Sequence, residues 1–582
     1  MGFEATPRRT QLIQASQFDN PVGNAEKTDK QRFEIISNND SSTSANRQIL
    51  KIPDSVVEAS QAPPASRPAA QFRSEMGRIS RHSAVFFAGT LFTAAAGYLF
   101  KIYLARVLGA EALGIFALGM TIVGFFGLFN GLGLPQAAVR FVAAYSATEQ
   151  WQRLHGFLLR AFVLLGIGNI VLATLLLAAG PWLARSLYHV PALIPYLHLF
   201  AVMLILGAFT AFLGQVLAGY RDVALRTVIT NFIGSPLNIV FGIVLLSLGM
   251  GLRGYLLAQV ASAALVLILL LAAAWRLTPK TARQVPQTAV PMEREVFWFS
   301  AAVFGVSIQE FILSQSDKIM LGVFLDVRQV GIYSVAATLV AFVPVALQSV
   351  NQIFSPTIAD LHARGEHVLL GRIFQTLTKW ILGLTVPLAL VMIVFSKPLM
   401  RLFGSAFEAG WLVLTLGTLG QLVNAGVGSV GYLLLMSGNQ VRLIRVQVIM
   451  AVFMVAATVG LVRPFGIAGV ALAAALTNAL SNYLCLRQVR AALGLSPYNR
   501  TYLRLFGPCL ASLAVTAGLR LFTRSLGLHP EWLWIGVALA ASYASFCGFA
   551  LLGGLDDDDK MIVGAIRGRI LGATGRTSSL SQ

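Results

Sequence analysis

The chain has 582 residues, of which 56% are hydrophobic and 12% charged, with a mean hydropathy of +0.71. A chain this long and this apolar is no soluble multidomain protein, and its composition indicates an all-α polytopic membrane protein. Its net charge of +19 follows the loops between apolar runs, which argues for membrane anchoring and against a nucleic-acid surface.

Residues 1–80 are rich in Ser, Asn, Gln, Pro and Ala without sustained periodicity, so they read as a disordered cytoplasmic tail. The first apolar run waits until Ala84, which is not the pattern of a cleavable signal. From there the apolar runs are 84–107, 112–133, 157–180, 194–218, 227–249 and 254–275, a first bundle within 81–276. A cytoplasmic linker, 277–295, leads to 297–325, 330–354, 374–395, 409–435, 443–462 and 467–486, a second bundle within 296–490. Runs 503–523 and 532–553 add two further spans within 491–555. At about 20 residues per crossing this gives about 14 transmembrane helices. The closing segment, 556–582, opens with Asp556 to Asp559 and continues into apolar and basic residues, the pattern of a short amphipathic helix on the inner membrane surface. Bends are expected at Gly234-Ser235-Pro236, at Gly383 before Pro387, and at Gly426, Gly428 and Gly431.

The run 297–325 is apolar enough to span yet carries Glu310, Asp317 and Lys318. A charge at the centre of a membrane helix costs on the order of 2.5–3.5 kcal/mol. At helical period Ser300, Ser307, Glu310, Ser314, Asp317 and Lys318 share one broad face, so the helix is expected to line a polar cavity.

The same region occurs twice. Lys101-Ile102-Tyr103-Leu104 and Leu113-Gly114-Ile115-Phe116 correspond to Lys318-Ile319-Met320-Leu321 and Val330-Gly331-Ile332-Tyr333, at a constant offset of 217 residues. Gly251-Leu252-Arg253-Gly254 matches Gly466-Ile467-Ala468-Gly469 at offset 215, and Gly219 before Arg226 matches Gly438 before Arg445 at offset 219. Two homologous halves in the same order are expected.

Basic residues fix the orientation. With both termini inside, the inner loops hold among others Arg140, Arg153, Arg221, Arg226, Arg276, Arg283, Arg364, Arg442, Arg445 and Arg487. The outer loops hold Arg106, Arg185, Arg253, Arg328, Lys397, Arg401, Arg463, Arg520 and Arg524, roughly a third as many as the inner side. Connections are short, which leaves no room for a soluble catalytic domain. His362, Glu366 and His367 lack the zincin spacing, and no nucleotide or dinucleotide fingerprint is present, so neither metal nor cofactor is expected. The three cysteines, Cys485, Cys509 and Cys547, read as packing residues.

Tyr103 to Gly109, Leu113 to Leu118, Gly131-Leu132-Gly133-Leu134-Pro135-Gln136 through Val142, Asp317 to Leu321, and Val330 to Ala336 together resemble the polysaccharide-transporter or O-antigen flippase (Wzx-type) family of the multidrug/oligosaccharidyl-lipid/polysaccharide exporter superfamily. The resemblance implies two helical bundles, alternating access, and export of undecaprenyl-diphosphate-linked oligosaccharide from the inner to the outer leaflet of the bacterial inner membrane. It also implies membrane lipids, and a polysaccharide polymerase with other biosynthesis proteins, as partners. The long N-terminal tail departs from the family pattern.

Such a cargo needs cations for its phosphates and amides or hydroxyls for its sugars. Lys101 and Lys318, equivalent in the two halves, together with Arg106 and Asn351, are the candidate substrate contacts. Glu310 and Asp317 are the candidate ion-coupling carboxylates. Other amides, Asn130, Asn238, Asn424 and Asn478 among them, suit either a cavity or interhelical hydrogen bonding. Competing readings are a lipid II flippase, a cation-coupled multidrug exporter with a more acidic lumen, and a membrane polysaccharide polymerase or ligase. The last would need a large outer loop that the sequence lacks.

Overall fold

The computed structural model describes residues 66–131, 133–279, 296, 300, 304, 311, 315–527, 531–554, 556 and 559. Side chains are described from Ala96 onward, apart from those of Ile353 and Arg500. The described part of residues 77–582 is helical and forms one compact unit.

In the first half α1 (Ser66–Asn130) is followed by α2 (Leu134–Ala147), α3 (Trp151–Trp182), α4 (Leu197–Gly219), α5 (Val223–Thr227), α6 (Ser235–Ser247) and α7 (Gly251–Leu277). The second half contains helical residues 315–324, then α8 (Val327–Val340), α9 (Val345–Ala363), α10 (His367–Val394), α11 (Ser396–Arg401), α12 (Trp411–Val427), α13 (Val430–Met436) and α14 (Gln440–Leu493). Helices α15 (Phe506–Ser525) and α16 (Glu531–Leu552) close the described chain.

Among the described residues ten helices are long and apolar enough to cross a membrane, and α8 with the start of α9 forms an eleventh span bent by 49°. Two of the ten each hold two of the runs expected from sequence. Helix α1 is broken at Gly109 (φ 77°, ψ 178°) and α14 at Gly466 (φ 55°, ψ −135°). Only glycine enters that region without a steric penalty, so these residues mark the junctions 107–112 and 462–467 between paired runs. The remaining expected run, 297–325, lies mostly outside the described residues. The other thirteen expected runs each have a helical counterpart among the described residues.

The expected bends have distinct physical forms. Residues Val228–Gly234 make a π-helical turn leading into Pro236 near the start of α6. Gly428 ends α12 at φ 76°, and a Cβ there would fall on the Thr378 hydroxyl. Pro387 stays inside α10; Ser542 donates to the Pro387 carbonyl (3.2 Å) and Tyr543 to that of Leu384 (2.7 Å), so α16 supplies hydroxyls to backbone acceptors around the proline.

The internal repeat is visible in the backbone. Gly251 and Gly466 share φ 55°. In the third pairing, by contrast, Gly438 has φ 76° whereas Gly219 is an ordinary helical end, and the left-handed residue opposite Gly438 at offset 217 is Arg221 (φ 63°). That sequence match is therefore out of register by two residues.

The halves meet closely at equivalent positions. A Cβ on Gly114 would fall on the Val327 carbonyl, and a Cβ on Gly331 would fall on the Ala110 carbonyl. Since 217 residues separate Gly114 from Gly331 and Ala110 from Val327, the contact is made twice, with the halves exchanged. A single apolar core, including Phe100, Leu118, Phe200, Leu321, Tyr333 and Phe403, runs through both halves here. Separate cores fill the rest of each half, around Phe141 and Phe212 in one and Phe374 and Met450 in the other.

Candidate functional site

The equivalent lysines both lie near the junction of the halves. Lys101, on α1, is exposed and donates to the Thr338 hydroxyl of α8 (3.3 Å). Lys318 is half-buried and donates to Gln315 Oε1 (3.0 Å), one turn back on its own helix. The two ammonium groups are near enough to repel each other. Among the described residues neither ammonium forms an ion pair within contact distance, although Asp317 lies near enough to Lys318 to interact with it, and two like charges held together favour an anion between or beside them.

Asp317 faces another way, as expected for neighbours about 100° apart on a helix. Its Oδ1 accepts the Lys318 backbone N–H (2.8 Å) and its Oδ2 accepts the Tyr333 hydroxyl (2.9 Å). Together Asp317 and Tyr333 border a cavity of about 390 Å³ within the second half, between α8, α12 and α14. Its polar lining includes Gln421, Asn424, Gln447 and Asn478. With one carboxylate and several amide oxygens, and no Lys or Arg, among its described lining residues, this chemistry suits a small cation and not a diphosphate.

The other candidates separate from these two centres. Arg106 donates through Nε to the Leu402 carbonyl (2.8 Å), tying the first half to the turn after α11. Asn351 is 6% exposed on α9, with its amide oxygen unpartnered, so it faces packed protein and not an open lumen. Expected to sit near the midplane, Glu310 lies outside the described residues. Several amides are interhelical ties: Asn130 donates to the Leu204 carbonyl (2.9 Å), Asn238 to Gln259 (2.8 Å) and Asn478 to the Gly420 carbonyl (3.2 Å). Tyr333, Thr338, Gln421 and Gln447 were not singled out by sequence. The available signal was polar residues on helices facing 297–325, but their partners are on other helices and register between helices is not written in one strand of sequence.

Near the middle of α10, Lys379, which the sequence places among inner-loop cations, is buried. Its ammonium meets Asp559 Oδ2 at 2.7 Å, and the Trp380 indole N–H donates to Asp559 Oδ1 (2.9 Å). Asp559 is also 8% exposed. The sequence offered the helix N-terminus as the role of these acids; in the structure the Asp559 carboxylate also finds a buried cation and an indole donor. The residues after Asp559 lie outside the described part.

Comparison with solved structures gives the class first. The fold matches the lipid II flippase MurJ in an inward closed conformation, with a TM-score of 0.65 and 13% identity over 81% of this chain and 98% of that one. It also matches an inward-facing multidrug resistance MATE family transporter of the MOP superfamily, with a TM-score of 0.57 and 17% identity over 69% of this chain and 94% of that one. The protein is thus a multi-pass membrane protein with the fold of these transporters. Residues 79–362 match the polysaccharide biosynthesis protein family. Consistent with this, the chain is similar to the succinoglycan biosynthesis transport protein ExoT of Rhizobium meliloti (strain 1021), 28% identical over 328 residues that cover 54% of this chain and 60% of that protein. That match spans less than two thirds of the relative's own length.

Proposed function

We propose that this protein is a flippase that carries undecaprenyl-diphosphate-linked oligosaccharide from the inner to the outer leaflet of the bacterial inner membrane, for polysaccharide biosynthesis, with both termini cytoplasmic. The observation that carries the reading is the lysine pair: Lys101 and Lys318, equivalent in the repeat, converge where the halves meet. A diphosphate offers two adjacent anionic groups, and two cations related by the repeat present a matching pair. The polysaccharide biosynthesis match over 79–362 and the succinoglycan transport relative support a saccharide cargo over a drug. Transport here needs no covalent step, so the protein acts as a carrier and not as a catalyst.

Energy enters, on this reading, through the second-half cavity. A proton or monovalent cation binds at Asp317 and Tyr333 among the amide oxygens, and its differential affinity for the two access states drives the cycle. Glu310 remains a candidate second coupling carboxylate on the same face. Anion and cation sites are adjacent on one helix, at Lys318 and Asp317, so occupancy of one is felt at the other.

The test is translocation of a fluorescent undecaprenyl-diphosphate oligosaccharide in proteoliposomes, with proton or sodium gradients imposed. Transfer should be gradient-stimulated, weakened in Lys101→Gln and Lys318→Gln, and uncoupled from the gradient in Asp317→Asn. No transfer, with efflux of cationic dyes instead, would replace the flippase reading by a multidrug exporter.

A further inference from the structure

A second cluster of charge lies away from both centres, at the end of the bundle that the loop charges place outside. The cavity there, about 410 Å³, is bordered by α11, the last turns of α15 and the start of α16. Its charged lining is Lys397, Arg401, Arg520 and Arg524 against Glu408 and Glu531. Outer loops are otherwise poor in basic residues, and these four make up almost half of those the sequence assigns there. They come from separate stretches of chain that the fold gathers at one point.

The ion pairs leave cations over. Arg401 takes both carboxylates, meeting Glu408 at 2.8 Å and Glu531 at 3.1 Å. Arg520 lies over the Phe395 ring at 5.4 Å and Lys397 over the Trp411 ring at 5.1 Å, so aromatic faces orient these two. Among the described lining residues the balance is a surplus of two positive charges. Arg524, at the last turn of α15, also suits the helix C-terminus, but that effect does not explain Lys397 or Arg520, which belong to other turns or elements. Guanidinium groups converging on a cavity are suited to bidentate recognition of phosphate oxygens. The wall beside them is apolar and exposed, with Leu521, Phe522 and Trp532 facing outward, so a ligand with both a phosphate and a hydrocarbon portion is accommodated.

We infer that this cavity is a phosphate-binding site, distinct from the lysine pair, that takes the phosphate of an anionic phospholipid headgroup or a free phosphate such as pyrophosphate. Binding here does not depend on what the protein carries, so its test stands apart from any transport assay.

The full chain is reconstituted in nanodiscs of phosphatidylcholine with a minority of phosphatidylglycerol, and the lipids retained after gentle detergent release are counted by native mass spectrometry. In parallel, unfolding is followed in pure phosphatidylcholine nanodiscs while pyrophosphate is titrated. Wild type should enrich phosphatidylglycerol or gain thermal stability with pyrophosphate. Arg520→Gln with Arg524→Gln should reduce that effect about tenfold, the order expected when a charge-assisted hydrogen bond is lost. Lys397→Gln, on a separate element, should weaken it several-fold and guards against a folding defect in the double variant. Arg185→Gln, outside the cavity, should leave it unchanged. Enrichment of the phospholipid alone assigns the headgroup as ligand, and a pyrophosphate response assigns the free anion. Equal enrichment in wild type and in both cavity variants, with no pyrophosphate response, overturns the site.

Discussion

A carboxylate among membrane helices persists only if its charge is satisfied or given up, and Asp317 is satisfied from two directions, by a backbone N–H and by Tyr333. Removing the phenol hydroxyl in Tyr333→Phe deletes a hydrogen bond to a charged group, worth about 1.5–3 kcal/mol. The expected outcome is a gradient dependence shifted by at least about tenfold in ion concentration with the unstimulated rate retained, read from transport at graded sodium or pH. Lys318→Gln has the opposite signature. On the proposed reading it relieves repulsion on Lys101 but removes a phosphate contact, so apparent affinity for the lipid-linked cargo should fall about tenfold or more while the gradient still stimulates, as measured by cargo titration. The side-chain partner of Asp317 was not legible from residue order alone. Tyr333 is 16 residues further on and in the next helix, and nothing in the alternation of apolar residues announces which helix it faces.

At the scale of elements, two kinds of glycine can be told apart by what surrounds them. Gly331 has the Ala110 carbonyl where a side chain would go, whereas among the described residues nothing lies within 4 Å of a Cβ placed on Gly97. Gly331→Ala should therefore destabilise by overpacking, on the order of 1–3 kcal/mol, and Gly97→Ala should be neutral or stabilising by up to about 1 kcal/mol. Thermal unfolding of the two purified variants separates these outcomes. The docking of Asp559 makes a similar contrast. Lys379→Ala strands a buried carboxylate and should release the segment around it, since breaking a buried pair by removing one partner costs about 3–5 kcal/mol. Lys379→Ala with Asp559→Ala should recover much of that loss, and limited proteolysis near residue 555 is the readout. Hydropathy located the helices because burial in lipid demands long apolar runs. It could not locate this ion pair, whose members are separated by 180 residues and whose burial depends on a tertiary contact.

For the molecule as a whole, the class and the two-half plan were readable because membrane thickness fixes run length and duplication leaves a constant offset. The cation-lined and amide-lined centres were only half readable. Equivalence flagged Lys101 and Lys318, but amides that tie helices together and amides that border a cavity look alike in sequence, as Asn130 and Asn424 show. Orientation is open to direct labelling. In a variant without the native cysteines, Arg185→Cys should react with an impermeant maleimide in intact spheroplasts. Arg442→Cys should react only after permeabilisation, and the reverse pattern would invert the proposed topology.

The paired contact of Gly114 with Val327 and Gly331 with Ala110 has the form of an isologous interface, in which each surface meets a copy of itself. Homodimers with a two-fold axis are held together this way, and a chain that keeps such a contact internally behaves as a dimer whose subunits have been joined end to end. The covalent join then supplies effective concentration more than it supplies fold. Two polypeptides divided between residues 280 and 295 and made in the same cell should find each other through this patch and co-purify, and Gly331→Val should abolish their association.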